Sequence, residues 1–133
     1  MIDIENVLYT ELYNALKEKF PALSISGIEE RLPSSFPFVS IVEADNLVRS
    51  DTIDSSNREN HVNLLYEVNI YSNKVGERKT EAKTILAEID RQLTMRGFLR
   101  TAAQPVSLND GTIYRIIARY TGCADKNNVI YRR

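Results

Sequence analysis

Residues 62–97, VNLLYEVNIYSNKVGERKTEAKTILAEIDRQLTMRG, set two hydrophobic periods end to end, and no other feature constrains the fold as strongly. Val62, Leu64, Tyr66, Val68 and Ile70 alternate with Asn63, Leu65, Glu67, Asn69 and Tyr71, which predicts a strand with one apolar face. The spacing then lengthens. Ala82, Ile85, Leu86, Ile89 and Leu93 form a helical stripe flanked by Lys79, Lys83, Glu88, Asp90 and Arg91. Gly76 opens this helix and Gly97 supplies the left-handed residue that closes it. The link between strand and helix is short, so the helix must fold back over the strand's apolar face.

The flanking segments add to this unit. Met1 to Phe20 predicts an amphipathic helix with Asp3 as N-cap and Ile4, Val7, Leu8, Leu12, Ala15, Leu16 and Phe20 on its stripe; Pro21 ends it. Tyr9 and Tyr13 widen the stripe. A short strand is expected in Leu23 to Leu32, ending near Gly27, and Phe38 to Val42 reads as a central strand buried on both faces. Residues 44–60, ADNLVRSDTIDSSNREN, show no sustained period and are rich in Asp, Ser and Asn, which predicts a long loop or a flexible hairpin arm. Connections of that length are uncommon inside a compact domain and tend to be functional or disordered. Phe98 to Val106 predicts a strand broken by Pro105, Asn109-Asp110-Gly111 a hairpin turn, and Thr112 to Thr121 the return strand. A turn is expected over Gly122 to Asn128, then a last strand at Val129 to Tyr131. The sum is a single α+β domain over 1–133: a mostly antiparallel sheet with two helices packed on one face.

At 133 residues the chain is long enough to close one core without disulfides. Seventeen Lys and Arg against eighteen Asp and Glu leave a net charge of −1, which argues against a surface dedicated to gripping nucleic-acid phosphates. No apolar run is long enough to span a bilayer or to serve as a secretory signal, so a soluble, cytoplasmically made protein is expected.

Catalytic patterns are weak throughout. His61, the only histidine, has no nucleophile motif beside it, and Cys123, the only cysteine, has no neighbouring base and reads as an inert thiol. Glu43, Asp45, Asp51 and Asp54 cluster in and beside the polar loop, where carboxylates are the ligands of a metal-dependent nuclease or junction resolvase. Their spacing matches no calcium-loop pattern. Arg100, Arg115 and Arg119 could line one sheet face with Tyr71 and Tyr131 nearby, as in a small RNA-binding or adaptor domain, although arginines on a solvated sheet face are ordinary. The metal-nuclease and RNA-binding readings stand as alternatives; no resident metal or cofactor is expected, and the chain reads as a non-enzyme.

The N-terminal helix through Phe20, the segment Leu32-Pro33-Ser34-Ser35-Phe36-Pro37-Phe38-Val39-Ser40-Ile41 and the strand Tyr66-Glu67-Val68-Asn69-Ile70-Tyr71-Ser72-Asn73 leading to Lys79-Thr80-Glu81-Ala82 carry a resemblance. Together with the element order, they resemble the small tail terminator (tail completion) proteins of long-tailed bacteriophages, also described as minor capsid proteins. The resemblance implies a structural virion protein: a ring, typically a hexamer, that caps the tail tube, stops its polymerisation and meets the head-completion or connector protein. It further implies that DNA passes through the lumen without specific binding, and that the protein resides at the neck of the virion after assembly in the host cytoplasm. Under this reading Val48, Arg49, Ile53, Arg58, Val129, Tyr131 and Arg132 are expected at subunit or partner interfaces, with Asp45, Asp51 and Asp54 facing the lumen.

Overall fold

The computed structural model describes residues 3–29, 33–48, 61–108, 110–125 and 130–131. In chain order the elements are α1 (Glu5–Lys19), β1 (Ser24–Ser26), β2 (Phe38–Val48), β3 (His61–Ser72), α2 (Arg78–Met95), β4 (Leu99–Val106), β5 (Tyr114–Asp125) and β6 (Ile130–Tyr131). The strands form one sheet in the order β1-β2-β3-β5-β4, with β6 pairing β5 beyond the end of β4. Every pair is antiparallel except β1 with β2. The fold is therefore α+β with a mixed, mostly antiparallel sheet.

The strand-helix unit builds the centre. β3 lies between β2 and β5, and its even positions Val62, Leu64, Tyr66, Val68 and Ile70 are all buried. They form one apolar cluster with Val39 and Ile41 of β2, Ile116, Ala118 and Tyr120 of β5, Leu8, Leu12 and Leu16 of α1, and Ala82, Ile85, Ile89 and Leu93 of α2. Gly97, at φ +94°, turns the chain out of α2 so that Phe98 tucks under the helix. Its ring then packs edge-on against Tyr66, 5.5 Å between centroids.

Four expectations need correction. The polar stretch from Ala44 is not loop at its start: β2 runs on to Val48, paired with β3 down to Val62. A β-bulge between Glu43 and Asp45 shifts the register there and breaks the alternation that would have marked the strand. Gly122 lies within β5, not in a turn, because a Cβ there would come within 2.7 Å of the Phe98 ring; the residue is glycine for close approach. Asp3 is not the N-cap of α1: Ile4 holds that position, and Asp3 Oδ1 accepts from Glu5 N–H at 3.0 Å one step out. Finally, Glu88 is buried at the joint between the helices, where it ties α2 to α1 through Lys19.

Candidate functional site

One end of the sheet gathers segments that are far apart in sequence. Val48 pairs with Val62, Val62 with Ala124, and Ala124 with Ile130, so four strands meet in one cross-strand row. The next row joins Leu47, Asn63, Cys123 and Tyr131. Chain leaves this end at Val48 and re-enters at His61; it leaves again at Asp125 and re-enters at Ile130. Two of the expected interface positions, Val48 and Tyr131, thus fall in adjacent rows although more than eighty residues separate them. Arg49, Ile53, Arg58, Val129 and Arg132 lie outside the described residues, as do Asp51 and Asp54.

Asp45 is exposed on β2 just past the bulge, opposite Leu65, whereas Glu43, just before it, stands opposite Tyr66 on the helix-covered face. Around Glu43 the acidic groups converge. Its Oε1 accepts from the Tyr66 hydroxyl at 3.1 Å, and its backbone N–H donates to Glu5 Oε2 at 3.1 Å. Burial pushes the Glu43 carboxyl above its ordinary range; the Tyr66 hydrogen bond opposes this, and the Glu5 and Asp3 carboxylates reinforce it. Burial likewise raises the Tyr66 hydroxyl, with the Glu43 charge adding to the effect. Sequence reading missed Asp3 and Glu5 as members of this group because only the crossing of α1 over β2 brings them there.

Arginines on the sheet are committed to neighbours. Arg115 Nε and Nη2 donate to Asn69 Oδ1 at 3.0 and 2.7 Å, its guanidinium stacks 5.3 Å from the Tyr71 ring centroid, and Glu29 lies 3.8 Å away. Arg119 ion-pairs across strands with Glu67 at 3.4 Å. Arg100 is not on that face: the bulge between Arg100 and Ala102 sets it opposite Tyr120 on the helix side, 3.5 Å from Asp90. Tyr71 is buried under Arg115, so the aromatic stacking platform that a single-strand RNA binder presents is not open here.

Chemistry by other routes finds no assembled centre among the described residues. His61 starts β3 opposite Asp125, and Cys123 is buried in β5 opposite Asn63. No three His, Cys, Asp or Glu side chains among the described residues are placed to hold a metal ion, since the bulge sends Glu43 and Asp45 to different faces. No described helix is long and apolar enough to cross a membrane.

Comparison with known proteins yields a fold and no family. No family model matches the chain, and no curated protein matches it. Among solved structures, one designated by a sequence identifier alone superposes with a TM-score of 0.52 at 12% identity, over 87% of this chain and 92% of its own. At that identity the likeness establishes a shared fold.

Proposed function

We propose that this chain is a structural virion protein that forms a ring at the end of a phage tail tube, terminates its polymerisation and joins tail to head. The observation that carries the reading is the convergence of Val48 and Tyr131, with the neighbouring strand ends His61, Asp125 and Ile130, at one end of the sheet. A ring built from one kind of subunit needs an interface in which one patch meets a different patch of the next copy. Strand ends and sheet edges grouped in one place supply such a patch, by packing or by adding a strand to a neighbour's edge. With both helices taking one face of the sheet, its other face and its edges are left for assembly.

In this reading the ring is hexameric, its partners are the tail tube protein and the head-completion or connector protein, and it acts in the virion without catalysing a reaction. Asp45, with Asp51 and Asp54, lines a lumen that repels phosphates and lets DNA pass. Light scattering on purified protein across a concentration series, with and without tail tubes, tests the proposal. A discrete hexameric mass, alone or on meeting tubes, is the expected result. Monomer or dimer under both conditions would sink it.

A further inference from the structure

Two flanks of the molecule carry opposite charges, and of their six charged groups only Arg100 has an ion-pair partner among the described residues. On the β2 side Asp3, Glu5 and Glu43 stand together, and no basic group lies within ion-pair distance of them among the described residues. On the β4 side Arg100 meets Asp90 of α2, and Lys83 and Lys79 follow two and three turns before Asp90 along the same side of that helix. Both lysines are exposed and make no ion pair among the described residues. Beneath them the helix layer stops short of β4: Ala103 and Pro105 stand opposite the buried Ala118 and Ile116, yet are exposed.

The two flanks sit on opposite sides of the central β3–β5 pair, so they cannot meet within one chain. They can meet between chains. We infer that the Asp3, Glu5 and Glu43 flank of one copy docks against the Lys79, Lys83 and Arg100 flank of the next, with a second copy of this chain as the occupant. The inference rests on the ring-forming reading and adds its contact surface. A patch that complements a different patch on an identical molecule gives head-to-tail association, which closes into a ring when the rotation between copies allows. Charges at such a rim set orientation and register more than raw affinity.

Charge reversal tests this directly. Lys79→Glu with Lys83→Glu makes both flanks acidic, and Asp3→Lys with Glu5→Lys makes both basic. Each double variant alone is expected to assemble at least tenfold more weakly than wild type, in light scattering at low salt, with circular dichroism confirming the fold. An equimolar mixture should recover assembly, because alternating copies then present opposite charges at every junction. Such alternation closes only rings with an even number of subunits. If loss of the Glu5 hydrogen bond to β2 unfolds the basic variant, Asp3→Asn with Glu5→Gln keeps a capping group and should still weaken assembly. Wild type that forms rings while both double variants do so equally well would overturn this contact and leave the ring reading standing. Variants that form normal rings but no longer engage tail tubes would also overturn it, placing the flank against another protein. Wild type that stays monomeric even with tubes would remove both.

Discussion

Gly122 shows how one missing atom positions a helix. A Cβ there would lie 2.7 Å from the Phe98 ring, which is itself wedged edge-on against Tyr66 beneath α2. Overpacking of this kind costs about 1–3 kcal/mol, so Gly122→Ala should lower the unfolding free energy by that amount, seen as a lower urea midpoint with the slope of the transition unchanged. The sequence could not disclose this role, because a glycine after an alternating run looks the same whether it ends a strand or accepts a ring from elsewhere. Gly97 was legible for the opposite reason: its left-handed φ serves a local need at the end of α2. Glu88 was hidden in a similar way, since its flank of the helix is polar in sequence and becomes buried only when α1 crosses it. It accepts from Arg91 Nη2 at 2.7 Å, Gln92 Nε2 at 2.9 Å and Lys19 Nζ at 3.2 Å, and its carboxyl is pulled down to about 2, chiefly by the Arg91 hydrogen bond. A carboxyl lowered by folding stabilises the native state above its unfolded value near 4.5 and loses that contribution as pH falls toward 2. Glu88→Gln should therefore cost ~2 kcal/mol at pH 7 in chemical denaturation and flatten the decline of stability in acid.

At the scale of elements, β3 and α2 were readable because each keeps one period over at least three turns or ten residues, and the shared core then forces them together. The short and interrupted elements were not. β1 is three residues long and pairs in parallel with β2, a relation no local pattern announces. β2 changes the parity of its buried side at the bulge, so its second half passes for loop. β6 is two residues long and depends wholly on β5 for pairing. That dependence runs one way, because β5 is held along most of its length by β3 and β4. Truncation after Asp125 should accordingly preserve the circular dichroism spectrum and most of the thermal stability while abolishing assembled species in light scattering. Loss of the folded spectrum would assign the C-terminal strand to the fold itself.

For the whole molecule, the sequence disclosed a domain and a resemblance, but the convergence of Val48 with Tyr131 and the opposed charged flanks arise only from topology. Under the proposed ring reading, replacing Asp45, Asp51 and Asp54 together by Asn tests a lumen role apart from a scaffold role. Rings should still form by light scattering, while DNA passage, followed as ejection from assembled particles, should change. Failure to form rings would show that these carboxylates hold subunits together. The bulge at Glu43 and Asp45 bears on how such a protein tolerates change. It acts as a phase shifter: below it odd residues of β2 face the helices, and above it even residues do. Deleting Ala44 alone would remove the extra residue and leave Glu43 opposite Tyr66 and Asp45 opposite Leu65 in unbroken alternation, whereas deleting Asn46 instead would turn Leu47 onto the helix-covered face. The bulge is therefore the one place in this arm where a single residue can be lost without turning the outer half of the strand inside out.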